Sequence, residues 1–183
     1  QVLISAMEHH SNLIPWQQVC LAKKAELKVI PFNQEGELDL QVLKDLLNHR
    51  VKILALTHIS NTLGSINPIA EIIALAHSQG VPVLVDAAQS ISSHQMDVQV
   101  LDVDFLVFSG HKIFGPTGTG VLYGKEKWLK EMPPYRFGGE MIRDVTFAKT
   151  TFAPIPHKFE AGTPNIAGVA TLATALDFVE SLG

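Results

Sequence analysis

Short apolar runs alternate along the chain with longer segments whose hydrophobic residues recur at helical spacing. The runs Val2–Ser5, Leu27–Pro31, Ile53–Thr57, Val83–Asp86, Phe105–Ser109 and Gly120–Tyr123 read as strands. Helical patterns cover Asn12–Lys24, Asp39–Asn48 and Ile69–Gln79, with a further short helical turn expected over Val98–Leu101. Asn67-Pro68 has the chemistry of a helix start, a cap followed by a proline in the first turn, and Gly80 that of a left-handed helix end. Thr163-Pro164 repeats the start signal before a last helix running to about Glu180.

Strands separated by helix-length segments predict βαβ units with right-handed crossovers. The fold class is therefore α/β: a mostly parallel, mixed sheet with helices on both faces. Ile53-Leu54-Ala55-Leu56 and Val83-Leu84-Val85 are apolar at consecutive positions, as strands covered on both faces should be. The link between Phe105–Ser109 and Gly120–Tyr123 is too short for a helical crossover, so this pair is expected to be antiparallel or to form a local excursion. From Glu131 to Pro156 periodicity is lost among prolines, the Gly138-Gly139 pair and scattered aromatics; this stretch reads as a long excursion or lid without regular structure.

The chain has 183 residues, enough for one sizeable core, and its apolar content shows no disorder signature. A net charge of −4 gives no electrostatic reason to expect nucleic acid or an anionic membrane as a partner. No apolar stretch approaches the roughly 20 residues that span a bilayer. The single cysteine, Cys20, lies in an apolar helical segment and reads as a buried structural thiol in a reducing compartment, with the cytoplasm the expected location. The chain opens on a strand at Gln1 and closes just after a helix at Leu182-Gly183, which suggests an internal piece of a longer polypeptide.

Ligands of open α/β sheets gather at the carboxyl ends of the strands. There the sequence places Glu8-His9-His10-Ser11-Asn12, His58-Ile59-Ser60-Asn61, Asp86-Ala87-Ala88-Gln89 and Ser109-Gly110-His111-Lys112. Asp86 ends an apolar strand, where a carboxylate requires donors or a cation, such as the protonated ring nitrogen of a heterocycle; alone it could equally cap the next turn. Lys112, between apolar residues and a glycine-rich loop, could act as a nucleophile toward an aldehyde, or simply be a surface charge. Ser109, His111 and nearby backbone N–H groups could bind an anion. The loop Gly115–Gly120 lacks the Gly-Lys-Ser/Thr ending of a nucleotide phosphate loop. His9, His10, His58, His94 and His111 lack the helical pairing of a zinc site, so no metal is expected.

Together these strand-end segments, with Glu160-Ala161-Gly162-Thr163-Pro164-Asn165, resemble the class V aminotransferase family of fold-type I pyridoxal 5'-phosphate enzymes. More narrowly they are similar to its cysteine desulfurase and selenocysteine lyase branch, and Gly138-Gly139-Glu140-Met141-Ile142 suggests the SufS/CsdA-like group. The resemblance implies that residues 1–183 are the cofactor-binding large domain, without the N-terminal segment and the C-terminal small domain. It implies that Lys112 holds the cofactor covalently and moves protons, that Asp86 pairs with the ring nitrogen, and that His9 stacks on the ring. Asn61 and Gln89 would bind the ring hydroxyl, Ser109 and His111 the phosphate, and Thr163 the phosphate of the neighbouring subunit in a homodimer. The implied activity converts L-cysteine to L-alanine and passes sulfur, through an enzyme cysteine, to an acceptor protein for iron–sulfur cluster assembly. Selenocysteine lyase or cysteine sulfinate desulfinase activity, or a non-catalytic α/β binding domain, are the alternatives. Ala87 stands where the family often has glycine. Cys20 lies in the wrong segment to be the sulfur-accepting cysteine, so the isolated chain is expected to be inactive.

Overall fold

In the computed structural model, which describes residues 1–182, apolar strand residues point alternately to two cores. The strands are β1 (Val2–Ser5), β2 (Leu27–Ile30), β3 (Ile53–Thr57), β4 (Val83–Asp86), β5 (Phe105–Ser109) and β6 (Gly120–Gly124). They form one sheet in the order β2-β1-β3-β4-β5-β6; the first five are parallel, and β6 is antiparallel to β5. The short glycine-rich connection accounts for that reversal, as the sequence predicted.

Leu3, Leu54, Leu56, Val83, Val85 and Leu106 belong to the larger core. It is covered by α2 (Leu40–Leu46) and α3 (Ile69–Ser78), and α3 contributes Ile69, Ile72, Ile73 and Ala76, one apolar stripe at helical spacing. Val2, Ile4 and Ala55 face the other way, against Leu13, Trp16 and Cys20 of α1 (His10–Lys23). Each large side chain so buried contributes roughly 1.5–3 kcal/mol. Cys20, 4% exposed, is a packing residue, as expected.

Several local signals resolve differently from the sequence reading. Helix α1 begins two residues earlier than the periodicity indicates, because His9 caps it. Asn67 does not cap α3; its buried side-chain amide donates to the Thr57 carbonyl at 2.9 Å, tying the loop back to β3. The last helix, α5 (Ile166–Ser181), is capped by Asn165, whose Oδ1 accepts from Gly168 N at 3.0 Å, and not by Thr163. Val98–Leu101 forms turns, not a helix, with Asp97 Oδ1 accepting from Gln99 N and Val100 N. The stretch read as irregular holds a hairpin of β7 (Ile142–Val145) and β8 (Thr150–Phe152), and a short α4 (Glu126–Glu131) precedes it. All four β7 residues are exposed, so no alternation of burial marked the strand. Met141, beside it, is wholly buried and anchors the excursion. Gly80, at φ +68°, closes α3 as predicted.

Candidate active site

From β1 the chain crosses to β2 on one side and then returns to place β3 on the other. Strand order reverses there, and the connections leave the carboxyl edge in opposite directions, opening a crevice. An open cavity of about 460 Å³ lies along this edge, within the roughly 300–1,000 Å³ usual for small-molecule sites. Its walls come from the segments after β1, β3, β4 and β5. Seven of the eight residues singled out from the sequence line it: His9, Asn61, Asp86, Gln89, Ser109, His111 and Lys112. Thr163 does not; it is exposed, two residues before the cap of α5.

Asp86 ends β4 in register with Thr57 of β3 and is 8% exposed. Its Oδ1 accepts from Ala88 N at 2.9 Å. Among the described residues no basic side chain comes within ion-pair distance of it. A buried carboxylate held by one backbone donor is costly, and a cationic group in the cavity would offset that cost.

Lys112 lies in a 3-10 turn, Gly110–Ile113, immediately after β5. Gly110 fixes the turn: its N–H donates to the Thr119 carbonyl and its carbonyl accepts from Gly115 N, each at 2.9 Å. A Cβ at Gly110 would collide with Thr119 Oγ1, so the close approach requires glycine. Ile113, 3% exposed, plugs the turn into the core while Lys112 faces the cavity, half-buried and in no ion pair among the described residues. A primary amine and a buried carboxylate thus share one cavity, the donor set that a cationic heterocycle bearing an aldehyde requires. Ser109 and His111 flank the amine with a hydroxyl and an imidazole suited to an anion.

His9 Nδ1 accepts from Ser11 N at 3.2 Å and lies 2.8 Å from Ser11 Oγ. That leaves Nε2 to carry the hydrogen of the neutral ring. Asn61 and Gln89 are exposed on the loops after β3 and β4, at the mouth of the cavity.

The sequence reading assigned no role to Glu8, which the structure sets, partly buried, behind this wall. Its carboxylate accepts from Ser5 Oγ, from Thr57 N at 3.0 Å and from Asn12 Nδ2 at 2.6 Å. Burial pushes its pKa up, against the lowering effect of those hydrogen bonds, and the charge of Asp86 adds to the rise. One of its donors lies 49 residues away, so no local pattern could have revealed it. His58, also at a strand end, turns out of the cavity: it is 8% exposed, with Nδ1 lacking a partner among the described residues and its ring edge-on to His94 at 5.6 Å. Burial, and then His94, depress its pKa.

The sequence profile of the Aminotransferase class-V family matches residues 1–183. A cysteine desulfurase of Cronobacter sakazakii is 52% identical over 183 residues, all of this chain and 45% of that protein. The crystal structure of the cysteine desulfurase CsdA from Escherichia coli superimposes with a TM-score of 0.95 at 44% identity, over 98% of this chain and 45% of that one. A C-DES mutant with glycine covalently linked to its PLP cofactor matches at a TM-score of 0.87 and 29% identity, over all of this chain and 49% of that one. The chain spans under half the length of the curated relatives it matches.

Proposed function

The chain belongs to the class-V aminotransferase family, and on that footing we propose that residues 1–183 are the cofactor-binding large domain of a pyridoxal phosphate-dependent cysteine desulfurase. The observation that carries this reading is the pairing of Lys112 and Asp86 along one cavity at the carboxyl edge of a parallel sheet. The names of its relatives and the fit of the donor set to a cationic ring with an aldehyde and a phosphate support it.

The cofactor, when bound, supplies an electron sink for bonds around the substrate's α-carbon. The chain's residues would bind and orient it. Lys112 Nζ would hold the aldehyde carbon and, once displaced by the substrate amine, move protons at its nitrogen. Asp86 would keep the ring nitrogen protonated, and His9 would cover one ring face. Asn61 and Gln89 would bind the ring hydroxyl, and Ser109 and His111 the phosphate. Thr163, which stands clear of this cavity, would reach the phosphate of a neighbouring subunit in a homodimer.

The overall change balances without an external oxidant. The carbon–sulfur bond of L-cysteine breaks, a proton takes the sulfur's place to leave L-alanine, and the sulfur joins an acceptor thiol as a persulfide. Cys20 is 4% exposed on the buried face of α1, so the acceptor thiol would lie outside residues 1–183. Onward transfer would go to a sulfur-acceptor protein serving iron–sulfur cluster assembly. Among the described residues no helix is long and apolar enough to cross a membrane; a cytoplasmic location fits the proposed chemistry.

The test is spectroscopic. The protein in its full natural length, incubated with pyridoxal phosphate, should develop absorbance at about 420 nm, as the cofactor does when its aldehyde is joined to an amine, and should release alanine from L-cysteine. Lys112→Ala should abolish both; an equal band in that variant would overturn the assignment.

A further inference from the structure

The reversal of strand order leaves a defect between β1 and β3. Their ladder pairs Val2 with Ile53, Leu3 with Leu54 and Ile4 with Ala55, and then the backbones part. Thr57 N, the next inward-facing donor on β3, has no β1 carbonyl to meet. Glu8 fills that place. Oε1 accepts from Thr57 N and from the Ser5 hydroxyl, which itself accepts from Met7 N at 3.1 Å. Oε2 accepts from Asn12 Nδ2, and Asn12 Oδ1 in turn accepts from Trp16 Nε1 at 3.0 Å. One side chain therefore joins the end of β1, the end of β3 and the first turns of α1.

Two of the joined segments carry the cavity. His9 follows Glu8 directly, and Thr57 is the register partner of Asp86, whose carbonyl accepts from His58 N at 3.0 Å. Glu8 is also a carboxyl group near enough to Asp86 for the charge of Asp86 to add to the rise in its pKa. A cation in the cavity would favour the ionised form of Glu8 and offset the repulsion from Asp86.

We propose that Glu8 is a positioning residue for this cavity: its carboxylate closes the crevice between β1 and β3, holds the His9 turn in fixed relation to the strand end that carries Asp86, and adds its charge to that of Asp86 toward a cationic ring. The proposal rests on the cofactor reading above and deepens it. The other titratable groups facing this region are Asp86 on β4, His9 on the same turn, His58 beyond Thr57, and His111 and Lys112 across the cavity.

Glu8→Gln keeps the shape and one acceptor oxygen but removes the charge. The probes are pyridoxal phosphate and pyridoxine phosphate, which has the same ring and phosphate without an aldehyde, so that its binding does not depend on Lys112. In the protein at full natural length, E8Q is expected to bind pyridoxine phosphate about threefold to tenfold more weakly. It should also move the pH midpoint of the band of bound pyridoxal phosphate downward by about half a unit or more, because a protonated cofactor nitrogen loses a nearby anion. A purely structural role would lower the melting temperature and leave that midpoint where it is, and this result, or binding indistinguishable from wild type, would overturn the proposal. Should E8Q not fold, Ser5→Ala carries the test: removing one donor makes the carboxylate harder to ionise, so a smaller shift in the same direction is expected, and no shift overturns the proposal. Wild-type protein that takes up neither probe would overturn the cofactor reading and this proposal with it.

Discussion

Nε2 of His77 lies 2.7 Å from Oδ2 of Asp104, at the amino edge of the sheet, the far end of the strands from the cavity. The same carboxylate accepts from Val83 N at 2.9 Å and from Trp128 Nε1 at 2.7 Å, and Lys125 Nζ stands 3.5 Å away. One buried acid therefore joins α3, the start of β4, the start of β5 and α4. Asp104→Ala leaves these donors unpaired and should cost about 3–5 kcal/mol, read as a lower urea midpoint. Burial raises the pKa of Asp104, but the bonds from Trp128, His77 and Val83, with the charge of Lys125, outweigh it and hold the group below the usual carboxylate range. With the folded pKa depressed, this stabilisation is fully present above the unfolded pKa and is lost as pH falls through the folded one. The wild-type urea midpoint should therefore drop in strong acid more steeply than that of the Ala variant.

His58 titrates in the opposite chemical sense with the same direction of effect. Its imidazole is buried and neutral in the fold, so protonation favours the unfolded chain. Stability should decline as pH falls below the ordinary histidine value of 6.5. His58→Gln should flatten that part of the pH profile of the melting temperature. A profile unchanged by the substitution would remove His58 as its source.

Asp86→Asn separates function from stability. Asparagine keeps the acceptor for Ala88 N but removes a buried charge that has no basic partner among the described residues. Without cofactor the variant should be as stable as wild type or about 1 kcal/mol more stable. Its affinity for pyridoxal phosphate should fall about tenfold or more, measured by equilibrium dialysis.

Gly115→Ala tests the loop that sets Lys112. The new Cβ would lie 2.8 Å from the Gly110 carbonyl oxygen and 2.7 Å from Leu172 Cδ1. The backbone contact cannot yield without moving the turn. A loss of about 1–3 kcal/mol in stability is expected, with slower covalent capture of the cofactor.

Cys20 should resist thiol reagents in the native protein and react at once in denaturant. Cys20→Ala should cost about 1 kcal/mol in a urea melt and leave cofactor uptake unchanged. Rapid native labelling would contradict its packing between α1 and the sheet.

The apolar runs made all six strands of the main sheet legible, most plainly β1, β3 and β4, which are buried at nearly every position and cannot hide their hydrophobicity. The strand-end loops pointed to seven residues of the cavity for a related reason: polar side chains at the ends of buried strands have little else to do. The β7–β8 hairpin escaped because its exposed residues carry no burial signal. Asn67 and Thr163 misled because a cap motif specifies which bonds a side chain can make locally, while tertiary neighbours offered Asn67 the carbonyl of Thr57 and left the last helix to Asn165.

Local order, strand identity and the chemical types at the sheet edge were determined by the sequence alone, since each follows from residues close together in the chain. The pairing of β1 with β3, the placing of Lys112 and Asp86 on one cavity, the donors gathered on Glu8 and the burial of Asp104 were decided only by the tertiary structure. Those features depend on donors and acceptors brought together from dozens of residues apart, and the free energy of a buried charge is set by the partners that surround it in space.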